Sequence, residues 1–416
     1  MQIKHRKRTK SDNAKYEAHV KWMESGYQTK FVPYKNNAFV ENCAVKPIAF
    51  YLPQFHSFKE NEDWYGRGFT EWTNVTRATP QYTGHYQPHL PIDVGFYNLN
   101  TNDTFYRQIE IAKNYGIYGF SFYYYWFSGR KLMEKPIYNY LNDKNLNFPF
   151  CLCWACENWS KLWDGGNREV LVESDLKEND FEQFWNDFLP FAMDKRYIRI
   201  NNKPLLIMYR PNKFDKEILK IFVKIIRKKA IKAGFDGLYI IWAITNDLTT
   251  TSKEIDIKEF DFDACLEFPP HGIRDNIDKS KNVKQKRCEK YLRPDFNGVI
   301  YDIKNWILNK KYEQPLFENT NIYRGVFPMW DNAARKAQSG CLIFDGMTPE
   351  LYRQWLGGII KWTKENRPKN EQYIFINAWN EWAEGAHLEP DYKHGYAYLQ
   401  KTYEALNEEE NTSYIS

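Results

Sequence analysis

Gln372-Tyr373-Ile374-Phe375-Ile376-Asn377-Ala378-Trp379-Asn380-Glu381-Trp382-Ala383-Glu384-Gly385 joins an apolar run to a polar turn that carries two carboxylates. Gln372–Trp379 is rich in aromatic and β-branched residues and is bounded by polar ones, as expected of a strand buried on both faces. Seven other runs share this character: Val45–Leu52, Tyr118–Tyr125, Phe148–Trp154, Pro204–Tyr209, Gly237–Ala243, Phe262–Glu267 and Tyr323–Met329. Helical patterns lie between them. Asn102–Tyr115 stops at Gly116, Leu176–Met193 carries Phe181, Phe184 and Phe188, and Phe214–Ala233 stops at Gly234; a glycine past the last periodic residue can take the left-handed conformation of a C-cap. Strand and helix alternating in this way predict an α/β chain, a (β/α)8 TIM barrel with long βα loops forming the catalytic face. An open doubly wound sheet is the rival, but no glycine-rich phosphate turn follows the first strand.

The barrel is expected over residues 45–405, with an N-terminal arm at 1–44, weakly helical from Ala14 to Met23, and a C-terminal tail at 406–416. The connections from His56 to about Asn100 and from Pro269 to about Asn321 are long, and in a barrel such βα segments build the active face. The net charge of +5 is small against 58 basic and 53 acidic residues, and outside His5-Arg6-Lys7-Arg8 and Lys279 to Lys290 the cations are dispersed. No basic stripe with interleaved aromatics is present, so no nucleic-acid partner is expected. The start of the chain is charged and no apolar stretch is long enough to span a bilayer, which predicts a cytoplasmic chain without a transmembrane segment. Seven cysteines in no regular framework suit a reducing compartment. Cys151 and Cys153 have strand spacing and, with Cys156, lack a partner pair at zinc-like spacing, so they are read as structural thiols; no metal and no cofactor are expected.

Aromatic residues reach 18%, with 15 Trp and 30 Tyr, many of them beside acids, amides and histidines. Sugar clefts need such pairings, because pyranose faces stack on rings while hydroxyls demand polar partners; large barrel cores also consume aromatics. The residues following each strand form a sugar-compatible series: Gln54 and His56, Trp126, Glu157, Asn158 and Trp159, Arg210, Asn246 and Asp247, Glu267, Trp330 and Asp331, then Asn380, Glu381 and Glu384. Strand ends are polar in any protein, so single members such as Gln54, Asn246 and Asp247 are also compatible with simple exposure. Glu157 and Glu267 abut apolar strand residues, where an unpaired charge is costly. Glycoside cleavage typically uses two carboxyl groups, one protonating the leaving oxygen and one acting as base or nucleophile. Glu381 and Glu384, three residues apart, share a face if the chain turns helically there, and close buried carboxyls push each other's pKa values apart. The bland alternative is a solvated helix start, where glutamate is also favoured.

Six segments carry a resemblance: Ile48-Ala49-Phe50-Tyr51-Leu52-Pro53-Gln54-Phe55-His56, Gly68-Phe69-Thr70-Glu71-Trp72-Thr73-Asn74-Val75, Gly84-His85-Tyr86-Gln87-Pro88-His89, Tyr123-Tyr124-Tyr125-Trp126-Phe127, Cys153-Trp154-Ala155-Cys156-Glu157-Asn158-Trp159 and Asn377 to Gly385. Over residues 45 to 400 the chain resembles the WbsX-type proteins, a group akin to glycoside hydrolase family 99 and often found in bacterial surface-polysaccharide clusters. The resemblance implies a metal-independent barrel enzyme in which Glu384 is the general acid/base. Glu381 would deprotonate the 2-hydroxyl of the sugar, which attacks the anomeric carbon to give a 1,2-anhydro intermediate, as in retaining endo-acting mannosidases. Glu389-Pro390 also fits the family pattern, and the motif residues Trp72 and His85 join the expected substrate-binding set.

The expected function is a retaining glycoside hydrolase or transglycosidase acting on an oligosaccharide or polysaccharide such as O-antigen, capsule or a precursor. A glycosyltransferase of polysaccharide biosynthesis is the alternative, although the Asp261-Phe262-Asp263 triplet reads as the lead into strand six and not as a diphosphate–metal holder. A non-catalytic glycan-binding protein is the third reading. Oligomeric state is not legible from the chain.

Overall fold

The computed structural model describes residues 31–37, 44–160, 169–245, 257–273, 296–317, 321–336 and 340–412, with the isolated positions 13–14, 16–17, 20–21 and 292. Asn246, Asp247, the two basic runs and most of the expected N-terminal arm lie outside the described residues.

Eight parallel strands close on themselves: β1 (Lys46–Tyr51), β2 (Gly119–Phe127), β3 (Phe150–Ala155), β4 (Lys203–Tyr209), β5 (Tyr239–Ile244), β6 (Ala264–Glu267), β7 (Ile322–Val326) and β8 (Tyr373–Ile376). Each pairs with the next, and β1 pairs with both β2 (Ile48 opposite Gly119) and β8 (Lys46 opposite Tyr373). This is the expected (β/α)8 barrel. The helices Asp103–Asn114, Asp180–Met193, Lys216–Lys232 and Pro349–Asn366 pack around it. Gly116 and Gly234, at φ of 84° and 93°, take the left-handed conformation at the predicted helix stops.

Side chains alternate between the lumen and the helical shell along each strand. Phe50 and Phe268, from β1 and the end of β6, are not on neighbouring strands, yet their rings meet at 4.8 Å. That contact crosses the lumen, and Tyr123 and Phe375 complete the layer by packing on Phe50. The opposite parity faces the shell: Trp126 and Trp154 pack on Phe184 of the Asp180–Met193 helix. The described cysteines Cys151, Cys153, Cys156, Cys265 and Cys341 are buried free thiols. No helix among the described residues is long and apolar enough to cross a membrane.

The long connections gather at the C-terminal ends of the strands. The first contains the helices Lys59–Tyr65 and Glu71–Thr76. After β6 and β7 a small sheet forms from Val299–Asp302, Leu342–Asp345 and Trp330–Asp331. The expected strand Tyr323–Met329 is therefore shorter, because the chain leaves the barrel after Val326 and re-pairs at Trp330. Residues 31–37 lie against the barrel, where the Val32 N–H donates to the His394 carbonyl at 3.1 Å and Asn37 N–H to Asn114 Oδ1 at 2.9 Å.

Candidate active site

Beyond Ile376 the eighth strand gives way to a tight turn. Trp379 N–H donates to the Phe50 carbonyl at 2.8 Å, Asn380–Glu381 pair antiparallel with Ala386–His387, and Trp382–Glu384 form one 3-10 turn. Residues three apart eclipse in 3-10 geometry, so Glu381 and Glu384 point to the same side. Gly385 closes the turn at φ 59°, where a Cβ would come within 3.1 Å of the Asp331 backbone.

Both carboxylates meet one guanidinium. Arg335 donates to Glu384 Oε1 at 2.8 Å, to Glu381 Oε2 at 3.1 Å and to Glu71 Oε1 at 2.7 Å. One cation thus faces three carboxyl groups. Arg335, Glu71 and Glu381 are buried and Glu384 is partly exposed. Burial pushes the Glu381 carboxyl up to about 8; Arg335 opposes this shift, and Glu384 and Glu71 add to it. The centre therefore holds a proton near neutrality, and Glu381 is where burial favours it.

Arg335 is positioned by a chain of contacts. Asp331 Oδ1 accepts the Ala333 N–H at 2.9 Å, which fixes the short helix Ala333–Lys336. Asp331 Oδ2 is held at 2.6 Å by both His85 Nε2 and Gln87 Nε2. Burial favours the neutral form of Asp331, but His85, His89 and Gln87 together outweigh it and the carboxyl is shifted down.

The pair forms part of the wall of a cavity of about 320 Å³ at the mouth of the barrel. Tyr123, Tyr125, Tyr209, Phe268 and Trp330 give it ring faces, and Glu157, Asn158, Arg210, His271, Asn332 and Lys336 give it polar groups. Glu157 is not left unpaired, since Arg210 donates to it. Asn158 Oδ1 accepts from Ser174 N–H at 2.6 Å.

Of the residues expected from sequence, Glu157, Asn158, Arg210, Trp330, Glu381 and Glu384 line this cavity. The others are not part of its lining. Asn380 stitches β1 to the turn, accepting from Leu52 N–H at 2.7 Å and donating to the Leu52 carbonyl and to Tyr97 Oη, each at 3.0 Å. Glu267 is taken by Arg324 Nε at 2.9 Å and Leu316 N–H at 2.6 Å. Trp126 donates to Asp187 at 2.9 Å in the helical shell, and Trp72 donates to the Tyr97 carbonyl at 2.8 Å and packs on Trp382. Gln54 and His56 are buried at the end of β1, where His56 Nδ1 meets the Pro53 carbonyl at 2.8 Å and burial pushes the ring down to about 4. Trp159 packs edge-on against Tyr125 beside the cavity, and His85 and Asp331 form the support of Arg335. Sequence reading missed Arg335 and Glu71 at the centre and Tyr123, Tyr125, Tyr209, His271 and Lys336 in the wall.

Glu389 braces the turn from behind. It is fully buried and accepts from Trp382 Nε1 at 2.7 Å, Tyr97 Oη at 2.9 Å, Gln108 Nε2 at 2.6 Å and Trp379 Nε1 at 3.2 Å. Burial pushes its carboxyl up to about 7, against those four donors.

A closed eight-stranded barrel with a carboxylate pair at the C-terminal mouth defines a class of barrel proteins whose chemistry is carried by the strand-end loops. Residues 47–402 match the model of the WbsX glycosyltransferase family, and the chain belongs to that family. It is 37% identical over 375 residues to the uncharacterised protein WxcX of Xanthomonas campestris pv. campestris strain B100, covering 90% of this chain and 51% of that protein. The protein WxcX of strain ATCC 33913 matches with the same identity and coverage. The chain thus spans about half the length of the curated relatives it matches. Among solved structures, the family 99 endo-alpha-mannosidase of Bacteroides thetaiotaomicron superposes with a TM-score of 0.51 at 13% identity, over 88% of this chain and 98% of that one. A glycoside hydrolase-like protein superposes with a TM-score of 0.54 at 12% identity, over 92% and 98%. At those identities the likeness concerns the fold.

Proposed function

We propose that this chain is a carbohydrate-active enzyme that cleaves or transfers a glycosidic bond of a bacterial surface polysaccharide or its precursor, with Glu381 and Glu384 as the reacting carboxyls. The observation that carries the reading is the pair on Arg335, at the wall of a cavity with both ring faces and polar groups. The family's description as a glycosyltransferase and the mannosidase fold both lead toward carbohydrate chemistry. Glu384, the more exposed of the two, acts as acid/base, since that group must also activate an incoming water or hydroxyl. Glu381, buried and strongly basic, takes the proton of the 2-hydroxyl as that oxygen attacks the anomeric carbon. The anhydro intermediate is then opened by the acceptor with net retention.

One observation favours the reverse assignment: burial stabilises the proton on Glu381, as suits a general acid. Leaving-group dependence decides between the two. With aryl glycosides prepared from the sugars of the organism's own polysaccharide, a Gln variant of the acid regains turnover as the leaving group becomes more acidic, and a Gln variant of the base does not. Unchanged turnover in both Glu381→Gln and Glu384→Gln would remove the pair from the reaction.

The transferase alternative calls for a diphosphate site. Asp263 is committed to Arg227 at 2.6 Å and to the Ile240 N–H at 2.8 Å, at the N-terminal end of β6 and away from the cavity. Thermal-shift measurements with nucleotide sugars separate the readings, because a transferase using them is stabilised by the nucleotide portion and a hydrolase is not.

A further inference from the structure

A second cluster adjoins the catalytic turn. His387 pairs with Asn380 in the two-residue ladder, and its ring stacks on Trp382 at 3.8 Å. Its Nδ1 lies 2.9 Å from the Glu389 carbonyl, and the Nε2 of His89 lies 3.1 Å from the Tyr86 carbonyl. A carbonyl oxygen only accepts, so each ring commits its single N–H there and presents a lone pair at the other nitrogen. Those two nitrogens, His89 Nδ1 and His387 Nε2, face each other at 2.9 Å. Two lone pairs at that distance repel unless a cation lies between them.

Asp391 supplies a third donor. Its Oδ2 is 3.9 Å from His387 Nε2, and one donor atom from each of the three residues lies within 4.8 Å of the others. Its Oδ1 accepts the His394 N–H at 2.6 Å. Carbonyl partners that fix the tautomer of each histidine are what metal-binding imidazoles usually have around them. Tyr86 stacks on His89 at 4.1 Å, so both rings are already oriented. A cavity of about 100 Å³ lined by Tyr86, His89, Lys393 and His394 opens beside the cluster, giving an entry path and room for a water as a further ligand. A tetrahedral ion with bonds of about 2.1 Å separates its donors by roughly 3.4 Å, so the rings need part only slightly.

We propose that His89, His387 and Asp391 bind one divalent cation of the zinc class. The donor set, two neutral imidazoles and a carboxylate, suits borderline-soft metals and is a poor match for magnesium or calcium. The three residues are absent from the wall of the main cavity, so the ion ties the Tyr86–His89 segment to the turn bearing Trp382 and takes no part in sugar chemistry. This departs from the metal-free expectation of the sequence.

The test uses the untagged full chain, stripped with a chelator and titrated with Zn²⁺ against a chromophoric competitor. One tight equivalent is expected, with a rise of several degrees in the unfolding midpoint; His89→Gln and Asp391→Asn lose both. Absence of a tight equivalent in the wild-type chain, or the same equivalent retained in His89→Gln, would overturn the proposal. Co²⁺ titration of the wild-type chain needs no variant to fold: visible d–d bands without thiolate charge transfer support the site, and a thiolate band or no band refutes it.

Discussion

Glu381 is a carboxyl whose burial costs the protein stability, and the cost is measurable. Its folded-state pKa is raised from 4.5 to about 8, so between these values the native state holds a proton that the unfolded chain releases. Native stability is therefore fully present below pH 4.5 and is lost progressively as pH rises toward 8. At about 1.36 kcal/mol per pKa unit, the loss is roughly 1 kcal/mol at pH 5 and about 4 kcal/mol at pH 8. Glu381→Gln removes the ionisation and keeps the shape and hydrogen-bonding capacity of the protonated acid. The variant should lose turnover while becoming more stable than the wild type, with a gap that widens by about 3–4 kcal/mol between pH 5 and pH 8. Urea unfolding followed by tryptophan fluorescence at pH 5, 7 and 8 measures it. A gap that stays constant or shrinks with pH would mean that Glu381 ionises as readily in the fold as in water, and the proton-holding centre would have to be abandoned.

Arg335→Met should destabilise by about 3–5 kcal/mol at pH 7, because it leaves buried carboxylates without their cation; if chemical unfolding finds less than about 1 kcal/mol, the guanidinium does not hold the centre together. Glu389→Gln turns an amide nitrogen toward four donors, and a loss of about 1–3 kcal/mol is expected, with turnover falling through the displaced Trp382; full activity at unchanged stability contradicts the bracing role. Asn380→Ala breaks the stitch between Leu52 and Tyr97 and should lower the unfolding midpoint with KM unaffected in the folded fraction. Trp330→Ala removes a ring face from the cavity, and a loss of about 1 kcal/mol, roughly fivefold in KM, should appear with kcat nearly unchanged; an effect confined to kcat argues against stacking there.

The barrel was legible because strands buried on both faces leave continuous apolar runs, and those runs need no knowledge of their partners. What lies at the ends of the runs depends on parity, and that was harder to read. In Tyr123-Tyr124-Tyr125-Trp126 the tryptophan stands out as a sugar platform, yet alternation sends Tyr123 and Tyr125 to the cavity and Trp126 to Asp187 in the shell. In Thr70-Glu71-Trp72 the same preference selected the ring, while Glu71 reaches Arg335 and Trp72 packs in the core. Glu267 was correctly judged too costly to leave unpaired, and Arg324 supplies its partner, so the cost argument identified a buried ion pair outside the cavity wall.

Arg335 left no pattern of its own in the chain, because Ala333-Ala334-Arg335-Lys336 resembles any short helical turn. A physical demand could still have pointed to it. Two glutamates on one face of a buried turn cannot both ionise without a cation nearby, and the arginines in segments that follow strand ends include Arg210, which Glu157 engages, and Arg335, four residues beyond Asp331. The carboxylates thus predict the existence of a cation, though not its address. The address is set by His85 and Gln87 gripping Asp331, a contact across 246 residues in the case of His85. Sequence spacing carries no information about such a contact. It is legible only after the barrel has closed and brought the first long connection against the seventh.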